Sequence, residues 1–146
     1  MIEIIRKAGA VWIGGLRRGK GTIRTESKVL DAVPYTFATR FEDRPGTNPE
    51  ELLAAAHAAC YAMAFTNTLV RSGYKPLSID VRAACVLEKQ DEGSAITRMK
   101  LLARCVVPEI ESDTLFEVAK EADQGCPVSN LLRPGLTIEL ETELLG

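Results

Sequence analysis

The first 41 residues alternate short apolar runs with breaks rich in glycine and charge. The breaks fall at residues 14–15, 17–21 and 31–34. Short β-favouring runs separated by turn residues are typical of antiparallel strands. Residues 2–41 are therefore predicted to form a three-stranded antiparallel sheet.

A long alanine-rich stretch then predicts a helix over residues 49–72, with Gly73 as its stop. Asn48 is a good capping residue, Pro49 suits the first helical turn, and Glu51 stands where the carboxylate of a capping box belongs. Such a helix would be about 36 Å long, which exceeds what is needed to cover one sheet. We therefore expect it to pack against a partner chain.

In the second half of the chain, apolar residues alternate with polar ones on both sides of the turn at residues 91–94. Alternation with a period of two predicts two strands of a hairpin. Cys85 and Cys105 share the apolar faces of these strands, so we expect both to lie in the core. The predicted elements of this half are the hairpin strands 77–88 and 95–107, a helix from Ser112 or Asp113 to about Gln124, a short helical turn over 126–132 and a last strand over 136–144.

Composition narrows the class of protein. The 146 residues suit a single domain spanning residues 1–146, and a net charge of −2 gives no footprint for nucleic acid or an anionic membrane surface. The N-terminus lacks the apolar core of a signal peptide, and no run of 18 apolar residues occurs, which favours the cytoplasm. Four cysteines are too few for a secreted disulfide scaffold, and no Cys-x-x-Cys pair suggests a zinc ribbon. Catalytic or conditionally oxidised cysteines and a small-molecule partner fit better.

Cys60 is the first candidate for reactive chemistry, because the helix around it is built from small side chains. A thiol in mid-helix gains nothing from the helix dipole, so a low pKa requires a cationic side chain from elsewhere. Arg40 is the best candidate, with Arg17 and Arg18 as second choices. Glu50 could hold such an arginine by a bidentate pair. Glu50 lies about 15 Å from Cys60 along the same helix, so a site that contains both is expected to combine two chains.

Cys126 is the second candidate, because it follows Gly125 and precedes Pro127 at the expected start of a helix. A thiol in that position faces unpaired N–H groups, so either cysteine could be the nucleophile. A plain capping role is the alternative. The expected exposed position of Cys126 suits a resolving thiol that must meet a partner sulfur.

His57, the only histidine, precedes Cys60 by one helical turn. Helix packing is its simplest interpretation, and a general base or a zinc ligand is the alternative. His57, Cys60 and Cys126 would supply three zinc ligands, whereas structural zinc takes four. The sequence offers no clear fourth.

Taken together, these segments resemble the osmotically inducible protein C and organic hydroperoxide resistance family, and the osmotically inducible branch in particular. The resemblance covers nearly the whole chain. Its motifs are residues 19–22, 27–30 and 34–35, Thr39-Arg40-Phe41-Glu42, Gly46-Thr47-Asn48-Pro49-Glu50-Glu51-Leu52, Ala55-Ala56-His57-Ala58-Ala59-Cys60 and Gly125-Cys126-Pro127-Val128-Ser129.

The resemblance implies an intertwined α+β homodimer, with antiparallel sheets wrapped around long central helices and active sites at the subunit boundary. It also implies that Cys60 is the peroxidatic thiol, that Cys126 is the resolving thiol, and that Arg40 and Glu50 form the polar pair that tunes the nucleophile.

The expected function is a thiol-dependent peroxidase for stress defence that reduces organic hydroperoxides, and hydrogen peroxide less well. An external dithiol, which the family suggests is a lipoylated protein, would restore the thiols, so neither a metal nor a bound cofactor is expected. Phe65 and the apolar residues near it predict a pocket for alkyl groups. A redox-sensing binding protein that uses the same disulfide without turnover is the alternative.

Overall fold

Two units make up the chain in the computed structural model, which describes residues 1–146: Met1–Leu52 and Leu53–Gly146. The first unit contains three antiparallel strands in the order β1-β2-β3. These are β1 (Ala8–Ile13), β2 (Lys20–Thr25) and β3 (Val33–Tyr35). The predicted sheet is confirmed, although residues 2–7 precede its first strand.

Helix α1 (Phe37–Phe41) corrects the prediction that strand continues to residue 41. Thr36 and Thr39 cap this helix reciprocally. The hydroxyl of Thr36 accepts from the N–H of Thr39 at 3.2 Å, and the hydroxyl of Thr39 accepts from the N–H of Thr36 at 2.9 Å. Five residues span little more than one turn, so no helical period is visible in the sequence.

Helix α2 (Pro49–Arg71) confirms the predicted long helix, and at 23 residues it is about 35 Å long. Asn48 caps it as predicted, because its Oδ1 accepts from the N–H of Glu51 at 2.8 Å. The side chain of Glu51 does not close a capping box, however. It accepts instead from the hydroxyl of Thr47 at 2.8 Å.

The second unit contains a three-stranded sheet in the order β4-β5-β6. Strands β4 (Ser78–Lys89) and β5 (Ser94–Val106) form the predicted hairpin, with a register shift between Val86 and Leu87. Strand β6 (Thr137–Leu144) pairs parallel with β5, which departs from the expected antiparallel pattern. Helices α3 (Ser112–Gly125) and α4 (Pro127–Leu132) form the crossover that a parallel connection requires.

The core of this unit lies between one stripe of α2, one face of β5 and the buried side of α3. Tyr61 reaches across it and donates its hydroxyl hydrogen to the carbonyl oxygen of Ala119 at 2.7 Å. Cys105 is fully buried in this core and Cys85 packs against it, as the strand pattern predicted. The other fully buried side chains include Phe65, Leu69, Met99, Leu101 and Leu115.

Candidate active site

The two candidate thiols meet within the second unit. Helix α2 carries Cys60, and Cys126 is the N-cap of α4, where a non-helical backbone precedes Pro127. The Cys126 thiol donates to Cys60 Sγ with the sulfurs 3.5 Å apart. A disulfide needs the sulfurs at about 2.05 Å, so the two sulfurs must approach by about 1.5 Å for the bond to form.

Cys126 is fully buried in the chain, which corrects the expected exposed position. A free thiol behaves as a small apolar group, and Val128 and Leu132 of the same short helix pack against the core. Cys60 is partly exposed. A small molecule from solvent therefore reaches the Cys60 sulfur more easily than the Cys126 sulfur, a difference that the local sequence around each cysteine did not predict.

Burial raises the pKa of the Cys60 thiol. The backbone N–H of Val128, which hydrogen-bonds to the sulfur, lowers that pKa, and the neighbouring Cys126 raises it. A thiol with a raised pKa is mostly protonated at neutral pH and is a poor nucleophile. Within its own unit no cation lowers the pKa of Cys60, so a cation from elsewhere is required to favour the thiolate at neutral pH.

Arg40 and Glu50 form a close ion pair in the first unit. Arg40 donates from Nη2 to Glu50 Oε1 at 2.7 Å and from Nε to the two carboxylate oxygens at 3.0 and 3.3 Å. The side chain of Glu50 is 8% exposed and that of Arg40 is 37% exposed. A buried carboxylate thus holds a guanidinium that still presents one edge to its surroundings.

Asn48 connects the element that carries Arg40 to the element that carries Glu50. Its Nδ2 donates to the carbonyl oxygen of Thr39 at 3.0 Å, while its Oδ1 caps α2. Arg40 itself lies over the ring of Phe41, 5.0 Å from the ring centroid. These contacts set the direction of the guanidinium before any substrate binds.

The two alternative arginines lie in the loop between β1 and β2, and both are exposed. Arg17 lies over the ring of Phe37, with Cζ 4.6 Å from the centroid. The carboxylate that the sequence offered as a partner, Glu50, is occupied by Arg40. Arg40 is therefore the arginine that has the expected ion pair.

His57 packs inside the second unit, in agreement with its simplest interpretation. It is fully buried, and its Nε2 lies 2.7 Å from the Ser129 hydroxyl oxygen. Burial lowers the pKa of His57, Asp123 raises it and Arg133 lowers it. The ring is therefore neutral at pH 7.

The sequence did not reveal the contact between His57 and Ser129, nor the ion pair in which Arg133 donates to Asp123 Oδ2 at 2.9 Å. Ser129 lies in the Gly-Cys-Pro-Val-Ser motif, which was the available signal. Asp123 and Arg133 are ten residues apart across a break between two helices, and no helical spacing relates them.

The zinc site that was the alternative interpretation of His57, Cys60 and Cys126 is not found in the structure. No group of three or more His, Cys, Asp or Glu side chains is arranged to hold a metal ion. Burial raises the pKa of Cys105 to about 11, so this thiol stays protonated at neutral pH. Cys60 and Cys126 lie with their sulfurs in contact, an arrangement that supports thiol–disulfide chemistry between them.

Comparison with known proteins identifies the family. Residues 41–141 match the family model described as OsmC-like protein. The chain belongs to the OsmC-like family. This OsmC-like protein is 46% identical to Peroxiredoxin OsmC of Escherichia coli (strain K12), an alignment that covers 96% of this chain and 98% of the relative. It is 29% identical to the organic hydroperoxide resistance protein of Xanthomonas axonopodis pv. citri (strain 306), with 94% of each chain covered.

Solved structures agree with the fold. The crystal structure of the organic hydroperoxide resistance protein OhrB of Bacillus subtilis superimposes with a TM-score of 0.74 at 25% identity, covering 94% of this chain and 98% of that one. The crystal structure of an organic hydroperoxide resistance protein OsmC from Legionella pneumophila gives a TM-score of 0.73 at 18% identity, covering 97% of this chain and 99% of that one. The α+β, OsmC-like fold expected from the sequence is confirmed.

Proposed function

We propose that this OsmC-like protein is a thiol-dependent peroxidase that reduces organic hydroperoxides, and hydrogen peroxide less well. The single observation that carries the proposal is the contact of Cys60 and Cys126 at 3.5 Å, one sulfur partly exposed and the other buried behind it. The 46% identity to a protein named Peroxiredoxin OsmC supports the same activity.

In the first step the Cys60 thiolate attacks the terminal oxygen of the hydroperoxide. The O–O bond breaks, the oxygen that carries the alkyl group leaves with its electron pair and takes up a proton, and Cys60 becomes a sulfenic acid. Cys126 then attacks the Cys60 sulfur, hydroxide departs as water, and a disulfide forms. Disulfide formation stops oxidation before the irreversible sulfinic and sulfonic acids.

Arg40 supplies the cation that Cys60 lacks in its own unit. A guanidinium beside the sulfur would favour the thiolate, and it would also stabilise charge on the departing oxygen. Glu50 lies ten residues before Cys60 in α2, about 15 Å along the axis. We infer that the pair of Arg40 and Glu50 from one chain completes the site around Cys60 of a second copy.

The outer face of α2 supports such a homodimer. The buried stripe of α2 faces the core, yet the opposite stripe is also apolar: Ala56 and Ala59 are exposed, Met63 is 77% exposed and Val70 is 56% exposed. A helix that is apolar on both faces requires a second partner. By length and composition alone, α2 is long and apolar enough to cross a membrane, but core helices of soluble proteins meet the same criterion. Glu50 and His57 on its buried stripe favour a second copy as the partner.

An external dithiol completes the cycle by thiol-disulfide exchange, which regenerates Cys60 and Cys126. Lipoylated proteins are the reductant that the family resemblance suggests. Sulfur chemistry alone accounts for the cycle, so we propose no metal or bound cofactor, and a cytoplasmic location suits the reduced thiols.

Phe65 is fully buried in the core and does not line an open pocket, which corrects its expected role in substrate binding. The preference for organic hydroperoxides therefore rests on the relatives.

Cysteine substitutions test the proposal. With cumene hydroperoxide and excess dihydrolipoamide, the wild-type protein should turn over many times, and Cys60→Ser should lose at least a thousandfold in rate because the nucleophile is gone. Cys126→Ser should react once and then accumulate overoxidised Cys60. Cys85→Ala is the matched control and should behave as wild type.

Two results would contradict the proposal. Sustained turnover by Cys60→Ser would move the nucleophile to another residue. A wild-type protein that forms the disulfide once per site and then stops, with reductant still present, would indicate a redox sensor.

A further inference from the structure

Two contacts join α2 and α4 side by side. Cys60 meets Cys126 at 3.5 Å, and His57 Nε2 meets the Ser129 hydroxyl oxygen at 2.7 Å. His57 precedes Cys60 by three residues in α2, and Ser129 follows Cys126 by three residues in α4. The hydrogen bond therefore lies about one helical turn from the sulfur pair along both helices, so that the two contacts fix the same alignment of α4 on α2.

Helix α4 depends on such contacts for its position. It has six residues, and its N-cap, Cys126, makes no side-chain capping hydrogen bond. A helix this short is not stable by itself. Arg133, at its C-terminal end, is held by Asp123 of α3 at 2.9 Å, whereas the Ser129 hydroxyl ties the middle of α4 to α2.

We propose that His57 and Ser129 are positioning residues for the step in which Cys126 captures the sulfenic acid of Cys60. This inference rests on the proposed peroxidase function. In that step the Cys126 sulfur loses its proton and bonds to the Cys60 sulfur, whose S–O bond breaks and releases hydroxide that leaves as water. Cys126 is oxidised and the Cys60 sulfur is reduced from sulfenic acid to disulfide.

The hydrogen bond keeps the two sulfurs close together. Disulfide formation can then outpace oxidation of the Cys60 sulfenic acid by a second peroxide molecule. A sulfur held near its target reacts with a high effective concentration, and a shift of about 1 Å along the helix lowers that concentration steeply. Without the hydrogen bond between His57 and Ser129, α4 would be free to shift or rotate relative to α2. Cys60 would then remain a sulfenic acid for longer and would be overoxidised more often.

His57 acts through Ser129 and not as a base. Its Nε2 is engaged by the hydroxyl of Ser129, and its Nδ1 is buried without a hydrogen-bond partner. Burial is the largest influence on the ring and lowers the pKa of His57; Arg133 at the end of α4 acts in the same direction, and the carboxylate of Asp123 of α3 opposes them. A neutral ring whose Nε2 is hydrogen-bonded to the Ser129 hydroxyl holds that hydroxyl in place, and the ring makes no hydrogen bond to the Cys126 sulfur through which it could take that proton.

Substitution of Ser129 by alanine separates positioning from general stability. Ser129→Ala removes the hydroxyl on α4. Tyr61→Phe is the matched control, because it removes a buried hydroxyl on the core face of α2 that donates to the carbonyl oxygen of Ala119 in α3 at 2.7 Å. Each protein is oxidised with one equivalent of cumene hydroperoxide. Rapid quenching and mass spectrometry then follow the sulfenic acid, the disulfide and the sulfinic acid.

We expect Ser129→Ala to form the sulfenic acid at the wild-type rate, to close the disulfide about tenfold more slowly, and to accumulate sulfinic acid as the peroxide is raised. Ser129→Thr, which keeps an Oγ, should recover most of the disulfide rate. Tyr61→Phe should close the disulfide at the wild-type rate. Closure by Ser129→Ala at that rate, or equal slowing in Tyr61→Phe, would overturn the proposal.

His57→Leu tests the same hydrogen bond from its other side. We expect about the same slowing as in Ser129→Ala, and no further slowing in the double variant, because both changes remove one contact. Losses that multiply in the double variant would contradict joint action. If the wild-type protein itself does not consume peroxide, the proposed function fails, an outcome separate from failure of the positioning role.

Discussion

At the scale of single residues, the acidity of Cys60 is the property on which the chemistry depends. Burial raises the pKa of its thiol, and the N–H of Val128 offsets this only in part. The reacting form is the thiolate, so the rate at neutral pH reports how far a cation shifts the thiol back toward ionisation. Arg40, held by Glu50, is the cation that we assign to this task.

Arg40→Met keeps an unbranched apolar stem and removes the guanidinium with its charge. We expect the second-order rate of Cys60 oxidation at pH 7 to fall at least tenfold, because the pKa of Cys60 rises when the guanidinium is lost. Because the thiolate is the reacting form, the pH at which the oxidation rate is half-maximal should be higher in the variant than in wild type. The difference in rate between the two proteins should become smaller once the pH is above that midpoint. Stopped-flow oxidation by cumene hydroperoxide between pH 5 and 10 measures this.

Arg17→Met is the control for that experiment, since Arg17 is exposed and lies over the ring of Phe37. It should leave both the midpoint and the rate unchanged. An upward shift in Arg17→Met with none in Arg40→Met would transfer the activating role to the loop between β1 and β2.

The sequence singled out the candidate site residues but said little about the surroundings of each one. Cys60, Cys126, Arg40 and Glu50 were singled out, and the structure places them in two contacting pairs. The burial of Cys126 was not foreseen, because exposure depends on how α4 packs and not on the residues next to Cys126 in the chain. The same holds for His57 and Ser129, whose contact joins positions 72 residues apart.

At the scale of elements, the predicted order of strands and helices is confirmed wherever a residue pattern is long enough to be read. The 23 residues of α2 and the two strands of the hairpin show many repeats of their periods. Helix α1 offers little more than one turn, and its start depends on reciprocal hydrogen bonds between two threonines. The parallel pairing of β6 depends on the crossover through α3 and α4, and alternation along the strand is the same for either direction.

Asn48 links helix stability to the position of Arg40 through two atoms of one side chain. Asn48→Ala loses both contacts, so we expect the free energy of unfolding to fall by about 1 kcal/mol, as for other lost N-caps. Asn48→Asp keeps an oxygen that accepts from the N–H of Glu51 and loses the donor to Thr39. It should retain most of the stability while the rate of Cys60 oxidation falls by about as much as in Asn48→Ala.

Urea unfolding and peroxide kinetics on the same samples separate these two effects. Equal rates in wild type and Asn48→Asp would mean that the contact with Thr39 does not position Arg40. A loss of stability in Asn48→Asp as large as in Asn48→Ala would instead refute the capping role.

At the scale of the whole molecule, we propose that the site combines residues of two chains. Cys60 and Cys126 meet within one chain, whereas Glu50 lies about 15 Å from Cys60 along α2. The apolar outer stripe of α2, with Met63 and Val70 exposed, gives a second copy a surface to cover. A two-fold dimer would then hold two sites, each with the thiols of one chain and the ion pair of the other.

Mixed dimers test this arrangement directly. Cys60→Ser lacks a nucleophile and Arg40→Met lacks the cation, so each protein alone should be nearly inactive at pH 7. A mixed dimer would contain one complete site, formed by Arg40 of the first variant and Cys60 of the second. After random subunit exchange, half of the dimers are mixed and half of their sites are complete, so about a quarter of the wild-type activity should return.

A matched pair of variants distinguishes such sharing from a general effect of mixing. Because Cys60 and Cys126 meet in the same chain, a mixture of Cys60→Ser with Cys126→Ser contains no site with both sulfurs and should recover no sustained turnover. Activity in this second mixture would place the two thiols on different chains, against their 3.5 Å contact within one chain. If neither mixture regains activity although native mass spectrometry finds mixed dimers, Arg40 acts on Cys60 of its own chain or not at all, and the two-chain site is wrong.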